Sequence, residues 1–175
     1  MVLLGNILAL IGCVVMILTG IIKRKDHMLM AQGVQFCFQA ASNLVLGSIA
    51  GFFAGTLSVV RTIVFTKCKV NVWVKLAFIG VQLVFSLYIG ADDIYEWIPF
   101  ISMLAYTWYL DTDSAITFKI VNLIGVTLWT FHDFHYLNYT AFTFDILTFI
   151  SMVSGIVMLM RDAKKKASAN TENKI

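Results

Sequence analysis

Side chains able to do chemistry are rare in this chain, and most of them fall where water is scarce. The densest group is Trp129-Thr130-Phe131-His132-Asp133-Phe134-His135-Tyr136, a polar and aromatic knot between two long apolar runs. His132, Asp133 and His135 offer nitrogen and oxygen ligands at close spacing, but a metal site generally needs three or four ligands. Paired histidines also suit pH sensing. The plainer reading is a polar turn between two helices, and the flanking apolar runs favour it.

Two lone ions stand inside apolar stretches. Arg61 is the only formal charge between Met28 and Thr66, and an ion inside a membrane span is a functional hypothesis by default. It also lies about four to six residues from the basic end of its segment, close enough for the side chain to snorkel to the interface. Asp145 lies about six residues in from the other end of its own segment, or ~9 Å at the helical rise, with no basic neighbour in sequence. Such a carboxyl is either hydrogen-bonded by neighbours such as Thr148 or titrates in a wet cavity. An Arg61–Asp145 ion pair would have to close ~9 Å of depth, which requires tilt or an intervening group.

Two polar stripes accompany these ions. Gln32, Gln35, Gln39 and Ser42 or Asn43 recur at helical offsets of 0, 3, 7 and 10 or 11, and Asn122, Gly125, Trp129 and His132 at 0, 3, 7 and 10. Each stripe can wall a pathway, or it can bond helix to helix at roughly 0.6 kcal/mol per bond. Gln39 and Asn43 are the pathway candidates of the first stripe, whereas Gln32, near the basic end, reads as interhelical glue. Trp129 fits an interfacial aromatic belt as well as a site, and Trp73, Trp97 and Tyr136 read as belt residues.

The elements that must position these groups follow from composition. The 175 residues are 59% hydrophobic and 13% charged, with mean hydropathy +0.84, against roughly 25% charged residues in soluble domains. This is an integral membrane protein. There is no period-2 alternation, so the spans are helices, the only open-chain way to satisfy backbone groups in hydrocarbon. Residues 1–22 are apolar but have neither a preceding basic residue nor a small-x-small cleavage pattern, and read as a retained first helix rather than a signal peptide. Cys13, Cys37 and Cys68 lack CxxC spacing and read as small apolar residues.

Charge clusters divide the chain. Segment one ends at Lys23-Arg24-Lys25-Asp26-His27, and the next basic cluster is Lys67, Lys69 and Lys75; the ~39 residues between them suit two crossings. Gly47, Ser48 and Gly51 supply the turn, giving helices near 29–46 and 49–66. Residues 73–89 are a lone connector leading to an acidic loop at Gly90-Ala91-Asp92-Asp93. Residues 95–110 are a fifth span with Pro99 in its first turn, followed by a helix cap at Asp113 or Ser114. Between Lys119 and Arg161 lie two more crossings that turn at 132–138. After them comes a basic tail, Lys164-Lys165-Lys166 onward, which reads as disordered.

Seven helices with the N-terminus outside place twelve of the thirteen Lys and Arg on the cytoplasmic side, the remaining one being Arg61. A six-helix count would strand one basic cluster outside. The expected fold is thus all-α: two parallel three-helix bundles, residues 1–67 and 92–161, joined by a connector helix, 68–91, with a cytoplasmic tail at 162–175. The outer side, with Asp92, Asp93 and Glu96, is acidic and would attract cations, although the positive-inside rule leaves that face acidic in any case.

The turn Asn43-Leu44-Val45-Leu46-Gly47-Ser48, the stretch Gly55 to Arg61, Trp97-Ile98-Pro99 and Leu128-Trp129 resemble the small transporters of the SWEET, PQ-loop and KDEL-receptor superfamily. More narrowly, the chain is similar to the YgjV-type bacterial inner membrane proteins over most of residues 2–162. The resemblance implies the three-one-three fold and a transport role in the bacterial inner membrane. Sugar carriers of this fold carry prolines in the middle of four bundle helices, whereas Pro99 is the only proline here and is followed by Phe100 instead of glutamine. The resemblance therefore implies no substrate.

The expected function is a small-solute carrier or facilitator working by alternating access, with a central site near Gln39, Asn43, Arg61, Trp129, His132 and Asp145. The alternative is a non-transporting membrane receptor or assembly protein of the same fold. Enzyme parts are missing: no Ser-His pairing at depth, no HExxH, no phosphate-binding glycine loop. No cofactor, resident metal or nucleic acid is called for, the terminal lysines being an orientation and lipid-headgroup signal. Gly51 and Gly55 form a small-xxx-small pair that serves either packing within a bundle or contact with a second copy.

Overall fold

Long apolar segments separated by short polar breaks leave the backbone little choice but helix. The computed structural model describes residues 2–68, 70–89, 94–137 and 139–172. They form α1 (Val2–Ile21), α2 (Lys25–Val45), α3 (Ile49–Lys67), α4 (Val72–Ile89), a 3-10 turn (Ile94–Trp97), α5 (Ile98–Tyr109), α6 (Ala115–His135) and α7 (Tyr139–Glu172). Asp92, Asp93 and the rest of the expected acidic loop, with Lys69 and Asn138, lie outside the described residues.

The breaks work as the sequence suggests. Gly47 takes a left-handed φ of 81°, which costs glycine nothing, and the Ser48 hydroxyl accepts from the Gly51 amide to cap α3. Ser114, of the two candidates, caps α6 by accepting from the Thr117 amide. The fifth segment is not one helix but a 3-10 turn followed by a 12-residue α5 with Pro99 in its first turn. Together they reach about 26 Å, slightly short of the bilayer core.

Two expectations fail. Residues 132–135 are not a turn: α6 runs through His135, and the chain reverses at Tyr136 and Leu137, the latter at φ 56°. Residues 162–172 are helical rather than irregular: α7 continues to Glu172. Ala163-Lys164-Lys165-Lys166-Ala167-Ser168-Ala169 contains strong helix formers and no breaker, so the helix propagates after the apolar face has ended.

Among the described residues, α1, α6 and residues 139–165 of α7 are long and apolar enough to cross a membrane. The other helices are shorter or more polar, and their polarity points inward. Gln32 and Ser42 of α2, Ser58, Arg61 and Thr62 of α3, and Ser102 and Thr107 of α5 are buried, while Val34, Val60, Ile63, Val84 and Leu104 are exposed. This is the inverse of a soluble protein and suits a lipid exterior.

The helices close a ring in sequence order. Each packs on the next, α3 meets α4 only lightly, and α7 returns to α1. The α1–α7 seam is a backbone contact: a Cβ on Gly155 would lie 1.9 Å from the Gly20 carbonyl oxygen. The α2–α3 hairpin uses the small-residue pair for itself, Gly55 against Ala40 and Gly51 against the Asn43 side chain.

Candidate functional site

On α3, Ser58, Arg61, Thr62 and Phe65 share one buried face, as helical spacing requires. That face turns the Arg61 side chain away from the near interface and across to α5. Nη1 donates to Thr107 Oγ1 at 3.0 Å and approaches Met103 Sδ at 3.3 Å. The guanidinium carbon stands 4.6 Å from the centroid of the Tyr106 ring, within cation–π range. Nε and Nη2 are buried without a hydrogen-bond partner. Arg61 is 3% exposed, so it does not snorkel.

The chain of contacts continues through Tyr106. Its hydroxyl donates to Gln32 Oε1, and Gln32 Nε2 donates to Asn122 Oδ1 at 2.6 Å. Asn122 Nδ2 in turn donates to the Phe118 carbonyl at 2.8 Å. One polar chain thus links α3, α5, α2 and α6. Phe36 packs edge-on to the Tyr106 ring and Phe118 lies beside it, which keeps the network in an apolar surround where each bond matters more.

A second cluster lies toward the opposite end of α6. His132 Nδ1 and Asp133 Oδ1 are 3.0 Å apart, and the His132 ring contacts Trp129 and Tyr136. Asp133 is buried and faces Asp145 of α7 closely enough for the two carboxyls to interact. Asp145 Oδ2 is buried without a partner, and Cys13 of α1 is within electrostatic reach of both acids. Thr148 does not serve Asp145; its hydroxyl donates back to the Phe144 carbonyl.

Of the six expected site residues, then, Trp129, His132 and Asp145 gather around Asp133. Arg61 belongs to the other network, and no ion pair joins it to Asp145 among the described residues. Asn43 lies over Gly51 in the α2–α3 turn, and the Gln35–Gln39 backbone packs on Gly12 of α1. Sequence reasoning missed Tyr106 and Thr107. Ser102 and Tyr106, four apart in a short apolar helix, were the available signal.

Lys119, counted among the cytoplasmic basic residues, is fully buried, and its ammonium donates to the Gly20 carbonyl and, at 3.4 Å, to that of Thr19 at the end of α1. Helix α1 has no basic residue in its last turn, so Lys119 of α6 supplies the charge that its unpaired carbonyls favour. Nearby, Ser151 donates to the Ile17 carbonyl at 2.6 Å and Lys23 pairs with Asp162 at 2.6 Å. The hydrogen bonds joining α1–α3 to α5–α7 among the described residues thus gather in the half of the molecule that holds the basic clusters.

These features describe a helical protein with a lipid-facing exterior and a polar interior. Neither curated proteins nor solved structures include one that matches the chain. A family does: residues 3–163 match Imp-YgjV, described as a bacterial inner membrane protein. The match spans nearly the whole chain and accords with the inside-out distribution of polarity. The chain belongs to the Imp-YgjV family of multi-pass proteins of the bacterial inner membrane.

Proposed function

We propose that the protein is a small-solute carrier or facilitator in which two bodies, α1–α3 and α5–α7, rock about α4 to expose a central site to either side in turn. The N-terminus lies outside and the basic clusters lie in the cytoplasm. In this reading residues 1–67 and 92–161 are the moving bodies, 68–91 the connector and 162–175 a cytoplasmic extension, the arrangement of the SWEET and PQ-loop fold. It has no catalytic step.

The observation that carries the proposal is the buried chain Arg61–Tyr106–Gln32–Asn122, whose links pass from one body to the other. Hydrogen bonds between halves, concentrated at one end, are what a closed cytoplasmic gate would have, and Lys119 on Gly20 with Lys23 on Asp162 is its outermost part. The other acceptors are neutral and the Lys23–Asp162 pair is half-exposed, so the gate can open at modest cost. The buried acids Asp133 and Asp145 lie toward the opposite end, where this reading puts the outer mouth.

The test is solute exchange into proteoliposomes across amino acids, nucleosides, sugars and organic acids. At least one solute should exchange faster than in empty vesicles, and Gln32→Leu should slow that exchange. Binding without exchange for every ligand would overturn the carrier reading in favour of a receptor. A maleimide that cannot cross the membrane should label Ser168→Cys from the cytoplasmic side only.

A further inference from the structure

We infer that the ligand of the central site is a small organic monoanion whose carboxylate docks on the open edge of Arg61. The guanidinium is held by three partners on two sides. One amino group is engaged by Thr107 Oγ1 and Met103 Sδ, and one face by the Tyr106 ring. The two nitrogens left over, Nε and Nη2, are both buried and both unpartnered. They are not an arbitrary pair: their N–H bonds project side by side from one edge of the planar group, at the spacing of two carboxylate oxygens.

Charge selects the ligand further. Among the described residues no acid pairs with Arg61, and its neighbours Thr107, Met103 and Tyr106 are neutral. A lone buried cation is costly until an anion joins it. One positive charge is balanced by one negative charge, so a monocarboxylate fits where a phosphate or sulfate dianion would carry an excess charge into an apolar surround.

The inference rests on the carrier reading for the ligand's being a passenger, and its test reads binding apart from flux. The full chain in lipid nanodiscs is melted in sodium acetate, lactate or benzoate, with chloride and sulfate as controls at matched ionic strength. A saturable rise in melting temperature is expected with at least one monocarboxylate and with neither control. In Arg61→Lys, which keeps the charge and loses the parallel donors, half-saturation should weaken about tenfold or more; in Arg61→Gln it should vanish. If these variants do not fold, infrared spectra of a 13C-labelled carboxylate on the wild-type protein decide: its stretching bands should move from their solution positions. No saturable rise with any of the three acids, the same rise in chloride, unchanged affinity in Arg61→Lys, or unmoved bands would overturn the inference. Carboxylate binding without uptake would remove the carrier reading and leave the site. Uptake of a neutral solute with no carboxylate binding would do the reverse.

Discussion

The two buried polar clusters differ in what they connect. The Arg61 network draws its members from α2, α3, α5 and α6 and lies toward the basic end, so it registers any movement between the first and last three helices. The His132–Asp133–Asp145 cluster sits almost wholly within the α6–α7 hairpin and would travel with it unchanged. The first is cationic and crosses the molecule; the second is acidic and local. In the proposed carrier reading, coupling between halves belongs to the first and the character of the opposite mouth to the second.

Substitutions can break this contrast. The largest effect is expected at the α1–α7 seam: Gly155→Val drives a side chain into the Gly20 carbonyl and should cost about 3 kcal/mol or more, read as loss of the monodisperse peak on size exclusion. Next comes Gln32→Leu, which leaves the buried Tyr106 hydroxyl and Asn122 carboxamide short of a partner and should cost about 1–3 kcal/mol. Thermal melts in nanodiscs would show it, and Gln39→Leu should melt close to wild type. Asp145→Asn should move the other way, raising the melting temperature slightly, because a carboxamide keeps a donor toward Asp133 and never places a second charge in a pair of facing acids. The smallest effect is expected from Arg24→Met, whose 3.7 Å pair with Asp26 is exposed on both sides, where such pairs contribute about 1 kcal/mol or less.

How much of this the sequence disclosed depended on the kind of signal. Helix number and breaks were legible because charge clusters and Gly47-Ser48 act locally. The polar stripe of α2 was legible as a stripe, and Gln32, read as interhelical glue, does bridge to two helices, while Asn43, read as a pathway candidate, packs over Gly51 at the start of α3. Which helix a stripe faces is a tertiary matter that periodicity does not encode. Lys119 and the knot at 132–135 share a cause. Polar residues near a helix end were read as interface or turn, but a helix can carry them inward when carbonyls or acids wait there.

The central claim, that two bodies move against each other across the Arg61 network, is tested most directly by paired spin-label distances in lipid nanodiscs. One pair spans the basic end, at Lys67 and Asp113, and the other spans the opposite end, at Leu46 and Tyr139. The account predicts two populations at each end that shift in opposite senses when Lys119→Met removes the tie to Gly20: the basic end widens and the opposite end narrows. A single narrow distance at both ends, unmoved by that substitution, would contradict it.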